Sequence, residues 1–382
     1  MKLKTIILSL AATVAVCSQA STFKAGELYY TTTSESTVKV ARVPADKASA
    51  NPYKGVFIIP EQVFYDGVNY RVTAIADSAF FQSGATEVQV PNSVTTIGEC
   101  AFAYATDLTS VTLPLQLKAV PKMLFAGTAV VNVAVPEGVK NIGWGAFQSC
   151  ASLHTMLLPS TTKKIAAYGY NNCHNLYEIY CAAPEAPEAG GWAIFIGLSD
   201  IDLIVPDGDA VKKYAANAVW GDVNTFNLYP SQEVSISMSG EVEKYDDHYM
   251  RFALGNNLAY KIYKGDEQVA LTAADYYYVP ITAESTEYFI VPTDMMNDAE
   301  ATRVVVAPSG VKNLTDEQAM PIVYGRDGAI HIHGNVNGQM VTVFDMYGRL
   351  CFRRPANGNE VITLDGGVYV VLVGNHPTKV RL

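Results

Sequence analysis

Histidines and carboxylates are the groups in this chain with which chemistry could be done, and each has a plain structural use as well. His331 and His333 flank Ile332; one residue apart, they share one face of a strand and could hold a metal ion between them. No cysteine or acid lies near enough in sequence to complete the shell. Asp246-Asp247-His248 stands between two strand-like runs and reads as a hairpin turn. Asp294, Asn297, Asp298 and Glu300 offer oxygen donors for calcium, but their spacing fits no calcium loop and suits a solvated turn. A Gly-x-Ser-x-Gly elbow, a His-Glu-x-x-His pair, a phosphate loop and EF-hand spacing are all missing from the sequence. The reading is of a protein that is not an enzyme, with no catalytic residue, cofactor or metal.

The elements around these residues follow from the bulk properties and the repeats. Lys2 and Lys4 precede an apolar run from Ile6 to Val16, and Ser18-Gln19-Ala20 supplies small residues for cleavage, so residues 1–20 read as a signal peptide. Cys17 would be lipidated only if a small residue preceded it, and Val16 stands there. Removing residues 1–20 takes away two lysines and no acid, moving the formal charge from −10 to −12. Such a balance argues against nucleic acid and against an anionic membrane surface as partner, and no later stretch is long and apolar enough for membrane insertion. Five cysteines remain (Cys100, Cys150, Cys173, Cys181 and Cys351), an odd and scattered set that forms no disulfide framework.

Self-similarity sets the fold. Ile75, Ile97, Val120, Ile142 and Ile165 follow one another at steps of 22, 23, 22 and 23 residues. Five residues after each comes an aromatic: Phe80, Phe102, Phe125, Phe147 and Tyr170. Each unit continues with a leucine-rich-repeat-like run: Ala85/Val88/Val90, Leu108/Val111/Leu113, Val130/Val133/Val135, Leu153/Met156/Leu158 and Leu176/Ile179/Cys181. One unit cannot bury its own apolar ridge, so the units stack and like residues form ladders. Cys150 and Cys173 fall in a column of small residues with Ser83, Ala105 and Thr128, and read as core.

The residues that alternate with the buried ones point outward from a concave sheet. They are Glu87, Ser110, Asn132, Thr155 and Glu178 in one column, and Gln89, Thr112, Ala134, Leu157 and Tyr180 in the next. Five strands make a strip roughly 20 Å long, enough for a peptide or a stretch of glycan. Glu87, Gln89, Ser110, Thr112, Asn132, Thr155, Leu157, Glu178 and Tyr180 are the candidate ligand-binding residues. Glu87 and Glu178 share a column but lie four repeats apart, too far for the paired-carboxylate chemistry of glycan hydrolysis.

The fold expected is mainly β. A short leucine-rich-repeat solenoid (72–181) carries a β-rich N-terminal cap (21–71) and a C-terminal cap (182–230) containing a helix near 209–218, with Val211, Tyr214, Ala215 and Ala218 on one face. A β-sandwich domain (231–308) and a smaller C-terminal β domain (309–382) follow, with strands at 234–238 and beyond, a linker at 308–310 and a turn at 347–348.

Two stretches carry a family likeness. Ile58-Ile59-Pro60, Tyr65-Asp66-Gly67, Ile97-Gly98-Glu99-Cys100-Ala101-Phe102, Ile142-Gly143-Trp144-Gly145-Ala146-Phe147 and Val205-Pro206-Asp207-Gly208 make residues 26–229 resemble BspA-like leucine-rich-repeat surface proteins of Bacteroides-type bacteria. Pro121 replaces the repeat glycine and Tyr170 the last phenylalanine. Val341-Thr342-Val343-Phe344-Asp345 and Gly367-Val368-Tyr369-Val370 make the last seventy or so residues similar to a type IX secretion sorting domain. The first resemblance implies a secreted or outer-surface, adhesin-like protein, here a monomer, that binds a host extracellular protein or glycan, or another bacterial surface. A passive structural component of the envelope or matrix, without a specific ligand, is the alternative.

Overall fold

A computed structural model describes residues 20–47, 53–222, 224–232, 242–254, 258–299, 301–307, 310–312, 322–326, 329–333, 338–345, 349–357, 360–373 and 376–381. Residues 1–19 of the signal peptide, with Cys17, the strand expected at 234–238 and the turn at 347–348 lie outside the described residues.

The described chain is mostly strand, with one α-helix, and its first half is a stack of about six solenoid turns. Each turn has two ladders. The concave ladder runs in parallel through Lys54–Ile58, Gly84–Gln89 and Ser110–Thr112, then through Asn132–Ala134, Thr155–Leu158, Glu178–Cys181, Ile201–Val205 and Phe226–Pro230. Between Ser110–Thr112 and Asn132–Ala134 the ladder is interrupted, and the Val131 N–H donating to the Thr109 carbonyl (3.1 Å) joins the two parts. The flank ladder has only two residues per turn, at Ala119–Val120, Asn141–Ile142, Lys164–Ile165 and Glu188–Ala189.

Between the ladders the chain turns through residues in the left-handed region, two per repeat and four apart. Ser78 and Gln82, Cys100 and Tyr104, Met123 and Gly127, Gly145 and Ser149, Tyr168 and Asn172 have φ between 51° and 68°. Only two of the ten are glycine, and the others each carry roughly 1–2 kcal/mol of backbone strain. Bonds along the solenoid axis hold the turn in place. The N–H groups of Ser78, Phe80 and Gln82 donate to the carbonyls of Glu99, Ala101 and Ala103 at 2.7–3.0 Å, and the same triplet recurs on later turns. Gly143 is required by close approach, since a Cβ there would lie 2.6 Å from the backbone of Pro121 and Lys122.

The ladders expected from the sequence are present. Ile75, Ile97, Val120, Ile142 and Ile165 are buried, and the aromatics form one stack from Phe57 through Phe80, Phe102, Phe125, Phe147 and Tyr170 to Phe195, with centroids 5.3–5.7 Å apart. Trp220 and Phe226 close it. The small-residue column ties each turn to the one before it: the thiols of Cys150 and Cys173 donate to the carbonyls of Phe125 and Phe147 at 3.0 and 2.9 Å. The solenoid core is continuous from Phe23 to Phe226. The strands Lys54–Ile58, Ile201–Val205 and Phe226–Pro230, expected in the caps, therefore lie in the same sheet as the repeats.

At the exit, the helix spans Gly208–Ala215, started by Asp207, whose carboxylate accepts from the N–H groups of Asp209 and Ala210 at 2.9 and 2.8 Å. It is shorter than the sequence suggests. Ala210 and Tyr214 are buried with Val211 against the core, whereas Ala215 and Ala218 are exposed, because the chain leaves the helix to insert Trp220, whose indole N–H donates to the Pro187 carbonyl at 2.8 Å.

Residues 242–312 form two antiparallel sheets, Val242–Lys244/Tyr249–Ala253/Tyr276–Pro280 and Glu267–Thr272/Ala259–Lys264/Thr286–Thr293/Thr302–Ala307/Gly310–Lys312, closed over Phe252, Ile262, Val279 and Ile290. Gly310, expected in a linker, starts a strand paired with Thr302–Ala307. Residues 322–381 form two further antiparallel sheets around Ile330, Ile332, Val341, Val343 and Val371. No helix among the described residues is long and apolar enough to cross a membrane.

Candidate functional site

The strip that the sequence marks for ligand binding is covered by the 242–312 sandwich. Alternation places the nine residues on the outer face of the concave sheet, yet Leu157 has no exposed surface and Thr112 and Thr155 keep 5% each. Leu157 and Ala134 pack with Ala259, Leu271 and Ala273 of the sandwich, with Leu115, Tyr180 and Met295 at the margin. The outward residues here are short, so the sheets come close enough to mesh.

Polar groups fix the register of this joint. The Gln89 side-chain amide bonds the Tyr278 backbone twice, donating to its carbonyl at 2.8 Å and accepting from its N–H at 2.9 Å, as a neighbouring strand would. The Tyr278 hydroxyl donates to Glu87 at 3.0 Å, the Thr112 and Thr272 hydroxyls pair at 2.8 Å, and Asn92 donates to the Val269 carbonyl at 2.9 Å. Burial pushes the Glu87 carboxyl above the usual carboxylate range, opposed in part by the Tyr278 hydroxyl. The expectation of one open strip therefore gives way to an interdomain joint over Glu87, Gln89, Thr112, Thr155 and Leu157, with Ser110 and Asn132 half-buried along it. The physical cause is that alternation sets which face a residue occupies and says nothing of what packs on that face.

Beyond the joint the concave face reopens around half-buried Glu178 and Tyr180, followed by Asp202 and the exposed Asn227 and Tyr229. Burial and then Asp202 push the Glu178 carboxyl up, and burial followed by Glu178, Asp294 and Asp202 pushes the Tyr180 hydroxyl up to about 12. This end is acidic.

The other chemistry-bearing groups are placed in turns. Asp246 accepts from the N–H groups of His248 and Tyr249 at 2.7 and 2.8 Å, closing the hairpin before Tyr249–Ala253. Asp294 accepts from the N–H groups of Met296 and Asn297 and from the Ser231 hydroxyl, while Asp298 pairs with Lys261 at 2.7 Å. These carboxylates are engaged by protein donors. Among the described residues no group of three or more His, Cys, Asp or Glu side chains is placed to hold a metal ion, and Glu300 lies outside those residues.

A second surface was not singled out from the sequence. On the turns between the ladders, Tyr104, Trp144 and Tyr168 keep 44%, 39% and 37% of their surface exposed. The Trp144 and Tyr168 rings stand 5.3 Å apart, and the Lys122 ammonium lies 5.7 Å from the Trp144 ring centre. Tyr104 and Tyr168 also occupy left-handed positions, where a bulky side chain is costly. They occupy three different phases of the repeat, Trp144 and Tyr168 three and two residues before the buried aromatic and Tyr104 two after it, so the period does not single them out.

Residues 73–184 match the family described as BspA type leucine rich repeat region, in six copies. The repeat segment of this chain is thus similar to that family. Among solved structures, a leucine-rich repeat protein from Bacteroides ovatus is 24% identical, over 48% of this chain and 59% of that one, with a TM-score of 0.34. A leucine-rich repeat protein of T. pallidum is 21% identical over 53% and 80%, with a TM-score of 0.36, and one from Bacteroides capillosus is 26% identical over 43% and 99%, with a TM-score of 0.28. The chain thus spans 59% of the Bacteroides ovatus protein. Comparison with curated proteins finds no match.

Proposed function

We propose that the protein is an extracellular or outer-surface binding protein of adhesin type, whose repeat solenoid presents the Trp144–Tyr168 ring pair, with Tyr104 standing apart from it beside Phe81, to a host protein or glycan or to another bacterial surface. The exposure of these rings carries the reading: three large aromatics stand out on the solenoid turns, two at backbone positions that favour glycine. Their exposed surface and the left-handed backbone at Tyr104 and Tyr168 work against stability, whereas rigid aromatics are the anchors by which interfaces bind. The match of residues 73–184 to the BspA-type repeat supports a binding role for the solenoid and a location outside the cell. The concave strip serves instead to seat the 242–312 sandwich.

The test is biolayer interferometry of residues 21–382 against host matrix proteins and glycans, with Trp144→Ala/Tyr168→Ala and Leu157→Ser/Tyr180→Ser variants. Binding lost in the first variant and kept in the second is the expected result. Loss only in the second returns the site to the concave strip. An absence of binding across the panel favours a passive structural component.

A further inference from the structure

We infer that the flank of the solenoid beside Trp144 binds an acidic polysaccharide, through a ladder of lysines one turn apart; this names the ligand class of the aromatic surface and rests on that reading. The charge of the chain is unevenly placed. Between Leu108 and Tyr177 there are five lysines, no arginine and one acid, Glu137, in a chain whose acids outnumber its lysines and arginines 37 to 27.

The fold gathers those lysines. Lys118, Lys140 and Lys163 each stand two residues before a buried ladder residue (Val120, Ile142 and Ile165) and so repeat with the solenoid. They are adjacent on consecutive turns: the Lys140 N–H donates to the Lys118 carbonyl at 3.1 Å and the Lys163 N–H to the Lys140 carbonyl at 2.8 Å. All three side chains are exposed, and none makes an ion pair among the described residues. Lys164 is neutralised by Glu188 at 2.6 Å, and Glu137 is turned to the Ser160 N–H and hydroxyl at 3.0 and 3.2 Å. Lys122 extends the positive surface to Trp144 and Tyr168.

Lysines rooted on backbones about 4.8 Å apart repel one another, and a row of anions lying along them offsets that repulsion. A polysaccharide with a carboxylate or sulfate on each repeating unit supplies such a row, and the apolar faces of its sugar rings suit the Trp144 and Tyr168 rings. Neither a neutral glycan nor a single phosphate would use both parts of the surface.

Residues 21–382 are to be tested on immobilised heparin, polygalacturonate and neutral dextran, with polyglutamate and anionic phosphatidylserine vesicles alongside, over a salt series. The variants are Lys118→Ser/Lys140→Ser/Lys163→Ser and, as a control with the same change of charge, Lys24→Ser/Lys47→Ser/Lys54→Ser. Circular dichroism checks folding. The expected result is saturable, salt-sensitive binding to heparin or polygalacturonate and none to dextran, with roughly tenfold loss in the first variant and little in the second. Failure to bind either acidic polysaccharide overturns the inference, as do equal losses in both variants and equally tight binding to polyglutamate or vesicles. If host proteins bind through Trp144 and Tyr168 while the acidic polysaccharides do not, this inference falls and the binding-protein reading stands. If nothing binds at all, both fall.

Discussion

The concave sheet and the lysine flank run side by side along the same turns, and both are built from outward columns that repeat every 22 or 23 residues. On the concave side those columns hold Ser110, Thr112, Asn132, Ala134 and Thr155, short residues that let another sheet approach and bury Leu157 completely. On the flank they hold Lys118, Lys140 and Lys163, whose charge and length keep other sheets away. Whether a solenoid face becomes a joint or stays open is thus set by the size and charge of its outward residues, not by the alternation that both faces share.

The largest effect is expected where both faces depend on the common core. Phe125→Ala, in the middle of the aromatic stack, should cost about 3–5 kcal/mol in chemical denaturation and loosen both ladders together. Leu271→Asp separates the faces: a carboxylate placed against Leu157 should weaken the joint by about 2–3 kcal/mol while the repeats stay folded. Hydrogen exchange would then rise at Tyr278, and unchanged protection there would show that the joint does not depend on this contact.

Tyr170→Phe acts in the opposite direction. The buried Tyr170 hydroxyl has no partner among the described residues, so its removal should stabilise the solenoid by about 1 kcal/mol, seen as a higher Tm. The smallest effect concerns pH. Because the Glu87 carboxyl is raised in the folded protein, the folded state holds a proton more readily than the unfolded chain, and stability falls as pH rises through that raised value. Mild acidification from neutral should tighten the joint, and Glu87→Gln should remove that dependence while still accepting from the Tyr278 hydroxyl. Hydrogen exchange at Tyr278 at pH 5 and 7 in both proteins checks it.

The period, the aromatic stack and the cysteine column were legible in the sequence because stacking requires like residues at one phase. The rungs at Lys54–Ile58, Ile201–Val205 and Phe226–Pro230 were harder to see, since 31 residues separate Pro60 from Pro91 and 47 separate Pro159 from Pro206. The common signature was the proline closing every strand of this ladder except Glu178–Cys181. The joint was not legible from the repeats alone, because its other half lies some 150 residues away. One hint was available in Val269-Ala270-Leu271: a strand apolar on both faces needs a partner on each, and Ala270 turns to the sandwich core while Leu271 turns to the solenoid. The lysine ladder was legible in phase but masked by the negative total, which averages over a chain whose charge is segregated.

A pull along the solenoid axis would put the same load on the bonds between every pair of turns, and the place to part first is the interruption between Ser110–Thr112 and Asn132–Ala134. The strand Glu267–Thr272 lies across that seam, gripping Thr112 on one side through Thr272 and packing Leu271 among Ala134 and Leu157 on the other. The sandwich is therefore a splint: it carries tension past the weakest rung, so that a protein held at one end and gripped at its flank would yield first where the splint lets go.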